Sequence, residues 1–124
     1  MIETLRGIGC SYAKANYVHN VCNFFVEHQL TDAKLHKMTD EDLLALLIQI
    51  KGVGQWTVEM LLMFTLGRED VLPATDFGVR KGFALTYGLK ELPSPKEVLA
   101  HGERWRPHRT TASWYLWRAV DLAE

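Results

Sequence analysis

One stretch limits what this chain can become: Ile50-Lys-Gly-Val-Gly-Gln-Trp-Thr57. It is flanked by two apolar runs, Asp40-Glu-Asp-Leu-Leu-Ala-Leu-Leu-Ile-Gln-Ile50 and Val58-Glu-Met-Leu-Leu-Met-Phe-Thr-Leu66. Both runs read as helices, so the segment of about 40–66 is helix, tight glycine hairpin, helix. Gly52 and Gly54 can take positive φ and carry no Cβ, so the backbone can turn sharply and approach a partner closely. The amides of Val53 through Trp56 would point outward at the start of a new helix. Unpaired N–H groups and the positive end of the helix dipole suit a phosphate there. A GxG turn alone more often only joins two helices. Here Lys51 precedes the glycines, Trp56 and Thr57 follow, and the leucine-rich helices bury one side, so the tip is built to present backbone. Contacts of that kind position a nucleic acid without reading its sequence.

The rest of the chain is compatible with one all-α domain over 1–124, a helical bundle containing this motif. A length of 124 residues fits one domain, and 48% hydrophobic with 10% aromatic residues supplies a core. Net charge is −1, which argues against a general nucleic-acid coat protein but leaves room for a local basic face. The two cysteines, Cys10 and Cys22, form no metal-ligand or CxxC pattern, so they read as reduced thiols, and an iron–sulfur cluster is not expected. No apolar run has membrane-spanning length and no signal-peptide pattern opens the chain, so a cytoplasmic or nuclear setting without membrane attachment is expected.

Helix boundaries follow from capping chemistry. Ser11 caps a helix from Tyr12 to His28, with Tyr17, Val18, Val21, Phe24 and Phe25 at helical spacing. Asp32 to Lys37 is a short helix. Thr39 with Asp42 resembles a capping box and opens the first hairpin helix, which runs to Gly52. The second runs from Gln55 to Leu66 and stops at Gly67. Thr75 caps a helix from Asp76 to Tyr87, ended by Gly88. Ser94-Pro-Lys-Glu97 starts another that ends near Gly102. Trp105-Arg-Pro107 breaks the chain before a last helix from His108 to Leu122, on which Trp114 and Trp117 read as a core-facing stripe. Met1 to Gly9 reads as the tail of a helix and a loop.

Asp76, in Val71-Leu-Pro-Ala-Thr-Asp76, is the most informative ionisable residue. It can be a simple helix cap. It can equally be a carboxylate kept ionised by a helix N-terminus, available to stabilise a cation or orient a water. Arg80 and Lys81, one turn on, could meet phosphate or solvent. Arg106 and Arg109 fit as partners of a carboxylate or of a helix C-terminus. The five histidines are scattered without metal-hydrolase spacing, and no P-loop, GxSxG or dinucleotide fingerprint is present.

Leu46 to Met60, Gly67 to Asp76, Trp105-Arg-Pro-His-Arg109 and Trp117-Arg118 together resemble the helix-hairpin-helix DNA glycosylases, nearest to the 3-methyladenine DNA glycosylase II branch. The resemblance implies hydrolysis of the N-glycosidic bond of alkylated purines in duplex DNA after the damaged nucleotide is flipped out. It implies Asp76 as the catalytic carboxylate. DNA contacts fall to Lys51, Gly52, Val53, Gly54, Gln55, Trp56, Thr57 and Arg80, and base-pocket candidates are Trp56, Tyr12 and Trp105. Strand-nicking members carry a Schiff-base lysine where this chain has Trp56, so a monofunctional enzyme is expected. Relatives also hold a monovalent cation on hairpin carbonyls, here those of Ile50 and Val53; no other cofactor is expected. The helices that precede Leu5 in the family are absent from this sequence. The alternative reading is therefore a non-catalytic DNA-binding remnant, or a fragment that needs a second chain or self-association.

Overall fold

A computed structural model describes residues 2–124, and every regular element among them is helical. The order is α1 (Ile2–Gly7), α2 (Tyr12–Glu27), α3 (Asp32–Lys37), α4 (Asp40–Leu47), α5 (Gln55–Met60), a π-helical turn (Leu61–Thr65), α6 (Phe77–Tyr87), α7 (Pro95–Gly102), a 3-10 turn (Glu103–Trp105) and α8 (Arg109–Ala123). No helix of the described residues is long and apolar enough to cross a membrane. Two compact units share the chain, residues 1–58 and 59–124, with the division inside α5.

The side-chain caps lie where capping chemistry predicts. Ser11, Thr31 and Thr39 each accept from the amide three residues on, and Ser94 and Glu97 close a full reciprocal box. Gly88 ends α6 in the left-handed region at φ 65°. Besides one-residue shifts such as the end of α2 at Glu27, four boundaries differ from the sequence reading. The first hairpin helix stops at Leu47, and Ile48 to Gly52 form turns in which the Ile50 amide donates to Leu47 O. The second widens after Met60 into a π turn, with Leu66 N donating to Leu61 O at 3.0 Å. Asp76, not Thr75, caps α6, because its carboxylate reaches the Val79 amide at 3.0 Å. The last helix starts one residue late, with His108 as its N-cap.

In the first unit the hairpin rests on α2. Gly52 has φ 99°, and a Cβ there would collide with the Tyr17 ring. Asn20 Nδ2 donates to Lys51 O at 3.3 Å. Leu43, Leu47, Ile50 and Val58 are buried, but of α2 only Ala15 is. The apolar face expected for α2 is half-covered: Tyr17 and Val18 remain exposed.

The second unit is organised by α6 against α8. Gly82 lies so close to α8 that a Cβ would overlap the Leu116 carbonyl. Leu72, Ala74, Val79, Phe83, Val98 and Leu116 form the core there, with Trp105 and Trp117 packed on it. The loop into α6 is clamped by charge. Asp70 Oδ1 accepts from Arg109 Nε at 2.7 Å and from the Arg109 amide at 3.2 Å, and Asp70 Oδ2 accepts from Arg106 Nη1 at 3.0 Å. Thr110 Oγ1 donates to Arg68 O and accepts from the Val71 amide. So the arginines of the Trp105–Arg109 motif are structural partners of a carboxylate. The hydrogen bond from Arg109, chiefly, holds the Asp70 carboxyl below the usual carboxylate range.

Two outcomes test this architecture. Gly82→Ala should lower unfolding free energy by about 2–3 kcal/mol, because helix backbone must move to admit one methyl; a urea melt with an unchanged midpoint would contradict the close approach. Asp70→Asn should cost about 1.5–3 kcal/mol at pH 7. A depressed carboxylate stabilises the fold above its unfolded pKa and ceases to as pH falls through its folded one. The gap between wild type and variant should therefore close on acidification through the carboxylate range, read from melts at successive pH values.

Candidate nucleic-acid interface and carboxylate site

The hairpin of the first unit has one face turned inward and one open. Gly52 is fixed by Tyr17, as described above. Gly54 is different. Positive φ among the glycines is confined to Gly9, Gly52, Gly67 and Gly88, and nothing lies within 4 Å of a Cβ built on Gly54. Of the two hairpin glycines, both able to take positive φ, only Gly52 does, and no intramolecular packing demands a glycine at position 54. What its bare backbone leaves is access. The Val53 amide donates to Ile50 O at 3.0 Å, so it closes the turn and does not point outward as expected. Val58 N donates to Gly54 O, so the amides of Gln55, Trp56 and Thr57 precede the helical ladder and form its N-terminal donor set. Lys51, Gln55, Trp56 and Thr57 are exposed around them.

The carbonyls expected to hold a cation are in part engaged. Ile50 O accepts the Val53 amide, and Lys51 O accepts Asn20 Nδ2. A carbonyl oxygen has two lone pairs, so Ile50 O keeps capacity for an ion. No group of three or more His, Cys, Asp or Glu side chains among the described residues is arranged to hold a metal.

Asp76 sits in the second unit, partly buried at the N-terminus of α6. Its Oδ2 accepts two bonds, from the Val79 amide at 3.0 Å and from the indole Nε1 of Trp117 at 2.8 Å. Both donors and the helix dipole direct positive charge at that oxygen. The indole belongs to an aromatic group. Phe64 stacks on Trp117 with ring centroids 6.0 Å apart and planes 18° apart, and Trp114 meets Phe64 edge-on at 5.4 Å. Phe64 comes from the π turn and is 54% exposed. Trp114 is 53% exposed, so the expected core-facing stripe is corrected. Of the two, only Trp117 packs on the core, and both border an open depression with Tyr115, Arg118 and Asp121.

The remaining sequence candidates divide by unit. Tyr12 lies in the first, exposed, with the Arg6 guanidinium 3.7 Å from its ring centroid. Trp105 lies in the second and packs on the core beside Phe83 and His101. Its ring therefore has a structural occupation that the base-pocket expectation did not include. Arg80 Nε donates to Pro93 O at 2.9 Å, which ties α6 to the entry of α7. Lys81 pairs loosely with Glu124. Sequence reasoning missed the Trp117–Asp76 bond and the Phe64 platform. A signal existed in Gly78 and Gly82, a glycine pair four apart on one helix, which marks a face that another backbone approaches.

Comparison with known proteins accounts for this arrangement. Residues 1–107 match the HhH-GPD superfamily of base excision DNA repair proteins. DNA-3-methyladenine glycosylase 1 of Schizosaccharomyces pombe is 38% identical over 98% of this chain and 54% of its own length. Putative DNA-3-methyladenine glycosylase YfjP of Bacillus subtilis is 35% identical over 96% of this chain and 42% of its own. The solved structure of the S. pombe 3-methyladenine DNA glycosylase Mag1 in complex with abasic DNA superposes with a TM-score of 0.87 at 38% identity, covering 94% of this chain and 57% of that one. The chain thus spans about half the length of the curated relatives it matches. With the family model matched over most of its residues and an all-helical fold, the chain belongs to the HhH-GPD superfamily of base excision DNA repair proteins.

Proposed function

We propose that this chain acts in base excision repair, as a 3-methyladenine-type DNA glycosylase that hydrolyses the N-glycosidic bond of alkylated purines in duplex DNA. The observation that carries the proposal is the Asp76 carboxylate, fixed by the Val79 amide and the Trp117 indole at a helix N-terminus. Loss of a purine leaves an oxocarbenium-like sugar. An anion about 4 Å from that charge is worth about 4 kcal/mol at an effective dielectric near 20, or roughly three powers of ten in rate. An alkylated purine that already carries positive charge leaves readily, so a carboxylate without a strong general acid suffices. The second carboxylate role, orienting the attacking water, is open to the same group.

The hairpin supplies the other half of the reading. The amides that open α5 bind a backbone phosphate, and the bare Gly54 lets it approach. Lys51 and Thr57 flank that contact. A sodium or potassium ion on the carbonyls of Ile50 and Val53 would strengthen it by its charge. Trp56 stands where strand-nicking enzymes of this type carry a lysine nucleophile, so release of the base occurs without Schiff-base chemistry. The site of action is wherever the cell keeps its DNA, the nucleoid or the nucleus.

Asp76→Asn should reduce release of methylated purine from alkylated duplex DNA by about three powers of ten; equal activity of the two proteins rules out the role of Asp76. Borohydride should trap no covalent adduct between the chain and an abasic duplex. The glycines separate binding from folding. Gly52→Ala should destabilise the fold by at least about 2 kcal/mol, through its φ and the Tyr17 ring. Gly54→Ala should leave the melting temperature unchanged but weaken duplex binding roughly fivefold, the effect of about one lost hydrogen bond.

A second reading, a DNA-binding module without catalysis of its own, is favoured by one fact: the chain spans about half the length of its relatives. Duplex binding through the hairpin with no base release from the purified chain, restored by adding the part of a relative that this chain does not span, would select it.

A further inference from the structure

We infer that Gly78 and Trp117 are positioning residues for Asp76: the missing side chain of Gly78 admits the Trp117 indole, whose N–H fixes which way the Asp76 carboxylate points. The inference rests on the reading of Asp76 as the functional carboxylate, and it adds two residues on two helices that make that carboxylate usable.

The geometry is specific. A Cβ built on Gly78 would lie 2.9 Å from Trp117 Cδ1, 3.1 Å from Trp117 Nε1 and 3.1 Å from Asp76 Oδ2. One methyl would therefore clash with a ring carbon of Trp117 and crowd both members of the 2.8 Å indole–carboxylate bond, which must give by a few tenths of an ångström. Distances under about 3.0 Å to a packed ring are not reached by real Cβ atoms, and the indole cannot retreat easily. Behind it α8 is held at Gly82, where helix backbone meets helix backbone, and Phe64 stacks on its face. Gly78 thus has no conformational reason to be glycine, since it lies inside α6 and its φ is not positive. Gly78 is the second residue of α6, where alanine would restrict the unfolded chain more than glycine does. The contact it permits is the compensation that the structure offers.

The indole does something the cap alone does not. A capping carboxylate with one backbone partner can swing about its side-chain torsions. Two donors on the same oxygen, one from α6 and one from α8, leave Oδ2 fixed between two helices. The neighbouring oxygen then holds one direction relative to the substrate. Stabilisation of a developing charge depends on that preorganisation, because reorientation during the reaction would consume part of the gain.

The test changes neither partner's chemistry at first. Gly78→Ala keeps Asp76 and Trp117 but drives the ring away. Trp117→Phe keeps an aromatic ring and removes only the donor. Both variants are first checked by thermal melting. The Trp117 indole ¹H–¹⁵N resonance, assigned in the wild type by its loss in Trp117→Phe, should lie downfield, and should move upfield in Asp76→Asn and in Gly78→Ala. Single-turnover release of methylated purine should fall about tenfold in Gly78→Ala and in Trp117→Phe, with duplex affinity unchanged. Asp76→Asn should fall much further, and adding Gly78→Ala to it should cost nothing more. An indole resonance insensitive to Asp76→Asn would overturn the inference. So would wild-type release rates in both folded variants when Asp76→Asn is inactive. Wild-type release by Asp76→Asn itself would instead overturn the reading of Asp76, while the indole resonance still reports whether the contact exists.

Discussion

The second unit depends on how closely α8 can approach α6. Two glycines one helical turn apart, Gly78 and Gly82, remove the side chains that would hold the helices at an ordinary distance. At Gly82 the result is backbone against the Leu116 carbonyl, and at Gly78 it is an indole against a carboxylate. The close approach thus converts a local cap into a two-helix clamp.

A second clamp prepares the loop that delivers Asp76. Asp70 is gripped by the side chain and amide of Arg109 and by Arg106, while Thr110 and Ser113 reach the backbone at Arg68 and Val71. These contacts anchor Arg68 to Val71 on the start of α8, the same helix that carries Trp117. Asp76 is therefore held twice by α8: the first turn of that helix holds the approach to Asp76, and its third holds the carboxylate. In the other unit, the hairpin follows a parallel rule. One glycine, Gly52, is demanded by the Tyr17 ring, and the other, Gly54, by nothing within the chain. A residue whose smallness no internal contact requires is where an external backbone can come near.

Much of this was legible in the residue order because it is local. Ser11, Thr39 and Ser94 cap their helices through atoms three residues away, so spacing alone foretells the bond. The hairpin was readable for the same reason, as was Asp76 at a helix start. Errors arose where neighbouring residues compete for one role. Thr75 and Asp76 are both good caps, and Asp76 wins because its carboxylate reaches Val79. Apolar spacing predicts hairpin helices that stay regular to their ends, but the first unwinds at Leu47 and the second widens at Leu61. Apolar periodicity reports which face is buried and is nearly blind to a change of one residue per turn.

The sequence by itself determined the helices, their caps, the glycine hairpin and the carboxylate at the head of α6, since each is set by contacts within a few residues. Only the tertiary structure decided which aromatic residues serve the site. Trp105, Trp114 and Trp117 look alike in the chain, yet one packs on the core, one faces outward and one caps Asp76. That choice depends on the distance between α6 and α8, which Gly78 and Gly82 set jointly with residues more than thirty positions away. Contacts over that separation leave no periodic signal in the sequence, because they are fixed by how helices pack and not by how each one forms.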